Sequence, residues 1–339
     1  MKRKILIGMA GVVFILGLGM MQQGVQSPNC REIAAVAQST ATDSAMVSTE
    51  TPAQEENLTW GMKKTTMKAG KVATFQVMAD GSAVEPSKIQ WSASNDKATI
   101  DKNGKVKTLR YGKVMISATY MEETISCKLT IKPKKIIGLD PGHQQYANSG
   151  TEPVGPGSSV RKAKVAGGTC GVSSRVPEYK LTLTIGKKLK KELVDRGYKV
   201  VMTRTKHDVN ISNKERAEKI NDSGADIAIR IHGDGGASSA RGACGLYPSP
   251  RNPYVGHLSA KSLKLSQCIM DSYCKATGIR NRGNIQRDDL TGTNWSKVPV
   301  MLIELGFMTN ATEDQYMQSA SGQKTMVESI ADGIDDYYK

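Results

Sequence analysis

The sequence predicts two folded units of different class. Residues 58–133 read as an all-β antiparallel sandwich, and residues 134–339 as an α/β domain with a largely parallel sheet flanked by helices. Three observations support this. Short runs of β-branched and aromatic residues alternate at period two up to Lys132, with turn signals between them. After Lys132-Pro-Lys-Lys the pattern changes to apolar strands alternating with helical repeats, which gives a layered α/β domain. The length, 339 residues, fits about two domains plus extra at roughly 150 residues each.

The N-terminus comes first. Met1-Lys-Arg-Lys precedes Ile5–Met21, seventeen residues without a charge. A basic start before such a run is a secretory signal or a signal-anchor, assigned to residues 1–24, with the basic end cytoplasmic and the rest exported. The run is long for a cleaved signal and just long enough to span a bilayer. Because it is the only apolar run of that length, a multi-span membrane protein is excluded. Residues 25–57, rich in Ser, Thr, Ala and acids without periodicity, are expected to form a disordered linker.

Within 58–133 the strands are Thr74-Phe-Gln-Val-Met, Ile89-Gln-Trp-Ser-Ala, Val114–Thr119 and Ser126–Ile131. Asp80-Gly81, Asp101–Gly104 and Gly112 supply the turns. The second unit opens with the apolar strand Lys135–Asp140. A helix from Pro177 to Gly197 carries Leu181, Ile185, Leu189 and Leu193 on one face and stops at Gly197. Strand Tyr198–Thr203, helix Ser212–Asn221, strand Asp226–Ile231, a helix from about Leu258 to Ala276 and strand Val300–Glu304 follow. A last helix holds Met326, Ile330 and Ile334 in register. Between the first strand and first helix, Tyr146–Arg175 is Gly- and Ser-rich and reads as a lid or an unstructured loop.

Charge points to partners. Lys and Arg number 47 against 32 acids, a net of +15. Residues 2–4 carry three positives, and 22–57 carry one positive against five acids, which leaves +16 on residues 58–339. So basic a surface favours polyanions, and export makes nucleic acid the weakest candidate among them. Six cysteines in an exported chain invite a disulfide reading, although no CxxC is present. Cys170 with Cys244 is the one pair considered, against six independent thiols.

The chemistry-bearing residues fall at strand ends, where ligands gather in α/β sheets. Asp140-Pro-Gly-His143 follows the first strand, Arg230-Ile-His232-Gly-Asp the third, and Glu304 ends a late one. Glu178 opens the long helix, where the helix dipole favours an anion. Two imidazoles and one carboxylate, with a fourth position left to water, make a catalytic zinc shell, and a further carboxylate is needed to move the proton. Glu304 is the candidate for that role, because a carboxyl ending an apolar strand is costly to bury without a task or a partner. Glu152 competes with Glu178 for the third ligand. Spacing alone is a weak signal here, and there is no HExxH.

Four ordered motifs sharpen the reading. They are Lys135-Ile-Ile-Gly-Leu-Asp-Pro-Gly-His143, then Arg204, Asp208 and Arg216 within the stretch from Thr203 to Asn221, then Ala225–His232, then Pro299–Asn310. Together they resemble the zinc-dependent N-acetylmuramoyl-L-alanine amidases of bacterial cell walls, over about residues 135–339. The resemblance implies one Zn2+ held by His143, Glu178 and His232, with Glu304 as the catalytic glutamate. It also implies hydrolysis of the amide between the muramic acid lactyl group and L-alanine of peptidoglycan. Trp91-Ser-Ala-Ser-Asn95, Ile100-Asp101, Gly104-Lys-Val106 and Gly112 resemble bacterial Ig-like domains of group 2, which implies a spacer or wall-binding module.

Departures are local. Gln144-Gln145 stands where the family usually has two glycines, and is expected to narrow the cleft or reshape the following loop. Gly233-Asp234 replaces a small residue and Asn. Arg287 and Asn294 are candidate substrate contacts, Arg204 and Arg216 read as structural, and His207 and His257 as ordinary polar residues. The expected setting is an exported, cell-wall monomer that binds peptidoglycan and anionic wall polymers and touches the membrane through its N-terminus. Two competing readings are a wall-binding protein with an amidase fold that has lost turnover, and a zinc peptidase cutting within the stem peptide.

Overall fold

A computed structural model describes residues 57–339; the predicted signal and all but the last residue of the linker lie outside the described residues. Among the described residues no helix is long and apolar enough to cross a membrane.

The period-two alternation of the first unit becomes ten strands: β1 (Leu58–Met62), β2 (Thr66–Lys68), β3 (Val72–Thr74), β4 (Gln76–Ala79), β5 (Ser82–Ala83), β6 (Gln90–Ala93), β7 (Ala98–Ile100), β8 (Lys105–Thr108), β9 (Gly112–Tyr120) and β10 (Glu123–Lys132). They form three small sheets, β1-β4-β5, β2-β10-β9-β6 and β3-β8-β7. Their pairings are antiparallel except β2 with β10, a parallel pair that the sequence pattern did not indicate. Phe75, Val106, Ile116, Leu129 and Ile131 are buried together, so every second residue of the long strands faces inward.

The second unit contains β11 (Ile136–Pro141), β12 (Asn148–Pro153), β13 (Arg161–Val165), α1 (Glu178–Asp195), β14 (Lys199–Met202), α2 (Asn213–Asp222), β15 (Ile227–Asp234), β16 (Ala243–Tyr247), α3 (Ser259–Thr277), β17 (Asn281–Gln286), α4 (Thr291–Asn294), β18 (Val300–Phe307), α5 (Ala311–Gln318) and α6 (Ala320–Tyr337). The six-stranded sheet has the order β14-β11-β15-β18-β16-β17. Neighbours run parallel except β16 against β18, so the sheet is mixed rather than uniformly parallel.

Ile227, Ile229 and Ile231 of β15 and Met301, Ile303 and Leu305 of β18 join the rows Leu181–Leu193 of α1 and Met326–Ile334 of α6 in one buried cluster, with Leu265 and Ile269 of α3. The intervening residues face the opposite side. There Ala228 and Val300 pack with Ile220 of α2. That helix approaches closely because Gly138 has no side chain; a Cβ there would stand 2.5 Å from Ile220 Cγ2. Ser212 starts α2 with a capping box, its hydroxyl accepting from Glu215 N while the Glu215 carboxylate accepts from Ser212 N. The expected loop Tyr146–Arg175 is partly ordered, since β12 and β13 pair as an antiparallel hairpin.

Of the two cysteine readings, the five described cysteines match that of independent thiols. Cys170 and Cys244 are both free, the first exposed and the second buried, so no bond joins them.

Candidate metal centre

Three elements deliver the central residues. His143 lies two residues beyond β11, Glu178 is the first residue of α1, and His232 sits on β15. His143 adopts a left-handed backbone, φ +57°, which a non-glycine residue holds only when its surroundings enforce it. Those surroundings are two buried arginines. Arg216 donates from Nη1 to Pro141 O (2.8 Å) and from Nη2 to His143 O (2.8 Å), and Arg204 Nη2 donates to Gly142 O (2.9 Å). Asp140 anchors this cluster, accepting from Arg216 Nη1, Arg230 Nε (3.0 Å each) and Thr203 Oγ1 (2.6 Å). Burial pushes the Asp140 carboxyl up, but the two guanidinium charges and these hydrogen bonds outweigh it and hold it far below the usual carboxylate range.

Glu178 is the point of convergence. Its Oε1 lies 3.1 Å from His143 Nε2 and 3.0 Å from His232 Nδ1, and accepts from Gly233 N at 3.1 Å. Oε2 accepts from Thr169 N at 2.9 Å. The two imidazoles meet edge to face with centroids 4.8 Å apart. Gly142 makes room for this, because a Cβ there would stand 2.5 Å from His232 Nε2.

The donor set fits a metal. One ligand atom from each of His143, Glu178 and His232 lies within 4.8 Å of the others. Tetrahedral bonds of about 2.0–2.1 Å to zinc set neighbouring ligand atoms roughly 3.3 Å apart, close to the 3.0 and 3.1 Å found. His143 Nδ1 lies 2.8 Å from Ala166 O, which can only accept, so the ring proton sits on Nδ1. Nε2 is then the ring nitrogen turned toward Glu178 Oε1, where a cation held between them would engage both. Burial is the main cause that lowers the His232 pKa to about 4, with His143 and Arg230 adding to it and Glu178 opposing, so this ring is neutral near pH 7 and free to ligate. Glu178 is held well below its ordinary value: burial raises it, but the hydrogen bonds of both histidines outweigh that.

Glu304 stands beside the cluster by strand register, since β15 and β18 pair with His232 opposite Glu304. Its Oε2 is buried without a hydrogen-bond partner. Burial, then the charges of Glu178 and Asp234, push its pKa up to about 8 against the pull of Arg282 and Arg230. His143, His232 and Glu304 line a cleft of about 340 Å³ walled by Lys162 and Val165 of the hairpin and by Arg287 and Leu290.

The other predicted residues divide. Arg287 is on the cleft wall, forked onto Asp289 at 2.8 and 3.0 Å. Asn294 is buried at 1% exposure, its amide nitrogen donating to Asp288 O and its oxygen accepting from Asn252, so it supports the wall without facing the cleft. Glu152, the competing ligand, instead accepts from Lys214 N in the first turn of α2. Gln144 is buried and accepts from Ile211 N and Arg216 Nη2, so it braces the His143 turn rather than narrowing the cleft. His207 and His257 stand outside the cluster. The bracing role of Asp140 and Arg230 was not read from the sequence, although both lie inside quoted motifs.

A mixed α/β sheet that gathers two imidazoles and a carboxylate on or just beyond neighbouring strands, with a second carboxylate at a helix start, has a layout suited to metal-assisted hydrolysis. A family model described as Amidase_3, N-acetylmuramoyl-L-alanine amidase, matches residues 137–336, and the chain belongs to that family. It is 29% identical over 209 residues to the N-acetylmuramoyl-L-alanine amidase Rv3717 of Mycobacterium tuberculosis, covering 59% of this chain and 84% of that one. It is 27% identical over 208 residues to the probable cell wall amidase LytH of Staphylococcus epidermidis, covering 60% and 58%. Among solved structures, the apo form of the amidase Ami1 from Mycobacterium abscessus superposes with a TM-score of 0.56 at 27% identity, covering 61% of this chain and all of that one. Ami1 from Mycobacterium smegmatis gives 0.55 at 26%, covering 60% and 97%.

Proposed function

We propose that the protein is a zinc-dependent amidase that hydrolyses the amide between N-acetylmuramic acid and L-alanine in peptidoglycan. The observation that carries this is the convergence of His143, Glu178 and His232 on one point, with Glu304 next to it in register. Zinc held by these three residues would polarise the amide carbonyl and make water a usable nucleophile near neutral pH. Glu304 takes the proton from that water and returns it to the departing amine of L-alanine. Its buried, carboxylate-rich surroundings keep its proton affinity high, which favours holding the proton; beside the positive charge of a bound zinc the carboxyl would shift back toward the ionised form that accepts it. Asp140, Arg204 and Arg216 hold the His143 turn so that its Nε2 faces the cleft. Lys162 and Arg287 share Asp289 on the cleft wall, leaving one net positive charge there to meet an anionic group of the substrate.

In this reading residues 134–339 are the catalytic domain, 58–133 an Ig-like module that spaces it from or holds it to the wall, and 1–24 the signal or anchor that exports it. The excess of positive charge favours retention on anionic wall polymers. Glu304→Gln tests the mechanism: release of muropeptides should fall about 10²–10⁴-fold, with zinc stoichiometry unchanged. Persisting activity would overturn the assignment. Products from the unaltered protein should carry free L-alanine amino ends beside intact sugars, as a peptidase cutting within the stem would not give.

A further inference from the structure

Asp314, at the start of α5, is 0% exposed and lies far in sequence from everything it binds. Its Oδ2 accepts from Ser173 N (2.8 Å) and Ser174 N (2.7 Å), and its Oδ1 accepts from Ser174 Oγ (2.7 Å). All three donors belong to the tight turn before α1, where Arg175 has φ +57°. The turn is closed by Gly171 N donating to Val176 O and Arg175 N donating to Gly171 O. Gly171 has no room for a side chain, because a Cβ would run into Asp314 Oδ1 and Ser174 Oγ.

The strand of chain leading into this turn supplies the outer contacts of the metal cluster. Ala166 O receives His143 Nδ1, and Thr169 N donates to Glu178 Oε2. Glu178 N in turn donates to Thr169 O. Gly168, at φ +79°, packs so closely that a Cβ would stand 2.8 Å from Glu178 Oε2 and 2.9 Å from His143 Cγ. Two of the three candidate ligands therefore take their orientation from a segment with little buried apolar surface between Ala166 and Val176, tied to the rest of the domain by the Asp314 carboxylate and by Val172 N donating to Met308 O (2.9 Å).

We infer that Asp314 is a positioning residue for the metal centre, fixing the 171–176 turn so that Ala166 and Thr169 aim His143 and Glu178 at a common ion. The inference rests on the metal-binding reading above. Outer contacts of this type are worth about 10–100-fold in metal affinity, and Asp314 acts one step further out, so the lower end of that range applies.

The test measures zinc affinity of the full-length protein by chelator competition, together with amide hydrogen exchange over residues 166–178. Asp314→Ala should raise the zinc Kd about tenfold and speed exchange in that segment. Asp314→Asn keeps one oxygen for the two backbone donors and can give its amide to Ser174 Oγ, so it should recover most of the affinity. Val327→Ala, in α6 away from the cleft, serves as the control: it should lower Tm without moving zinc Kd. If Asp314→Ala does not fold, Ser174→Ala, which removes one of the three bonds, carries the same comparison with a smaller expected change of about threefold. A zinc Kd within twofold of the parent in these variants, or exchange unchanged over 166–178, overturns the inference. A parent protein that binds no zinc overturns the functional reading instead.

Discussion

Asp140→Asn removes one negative charge from a place where two guanidinium groups depend on it. Arg216 is 1% exposed and Arg230 5%, and both pair with the Asp140 carboxylate at 3.0 Å. Taking one partner from a buried charged cluster costs about 3–5 kcal/mol, because the remaining charge stays desolvated and unpaired. At about 2–4 °C per kcal/mol for a domain of this size, Tm should fall by about 6–20 °C. The measurement is urea unfolding at pH 7, repeated at pH 5, 4 and 3. The folded carboxyl is depressed, so its stabilising contribution is complete above the unfolded value of about 3.9 and is lost as pH falls below it. The parent should therefore lose stability through the acid range, and the difference between parent and variant should shrink there. A loss below about 1 kcal/mol at pH 7, or a gap that does not narrow in acid, would refute the argument that this charge organises the His143 turn.

Three further outcomes are expected. Gly142→Ala places a methyl group against the His232 ring, and should weaken zinc binding and lower Tm by chelator titration and calorimetry. Ser212→Ala removes one arm of the capping box on α2 and should cost about 0.5–2 kcal/mol in denaturant unfolding while muropeptide hydrolysis stays near normal. Retention on isolated cell walls should drop as sodium chloride rises from 0.05 to about 0.5 M in a pelleting assay, because screening shortens the reach of surface charge; binding indifferent to salt would count against an electrostatic wall contact.

Residues with strong periodicity were legible. The four-residue spacing from Leu181 to Leu193 gave α1 within two residues at either end, because one apolar row decides a helix. His143, His232 and Glu304 stood out because each follows an apolar run, although β15 and β18 continue past His232 and Glu304 instead of ending there. The hairpin β12–β13 was not, since Asn148–Pro153 and Arg161–Val165 are mostly polar and held by pairing with each other. Asn281–Gln286 was missed for the same reason, whereas Ala243–Tyr247 is a buried run too short to show a period; with them went the antiparallel junction that makes the sheet mixed. Glu178 was preferred to Glu152 for its place at the start of α1, while the contact that occupies Glu152, Lys214 N, is tertiary and nothing in its neighbours along the chain announces it. The sequence left the pairing of Cys170 with Cys244 open, because spacing carries no information on whether two thiols face each other; they do not pair.

The pairing of β15 with β18 carries a last consequence. His232 and Glu304 are neighbours only because both strands count the same number of steps from Ala228 opposite Val300. Adding or deleting one residue before His232 or Glu304 in its strand would turn that side chain by half a turn into the layer of Ile231 and Ile303. Natural variation in this stretch should therefore swap one amino acid for another and leave the distance from Ala228 to His232, and from Val300 to Glu304, untouched.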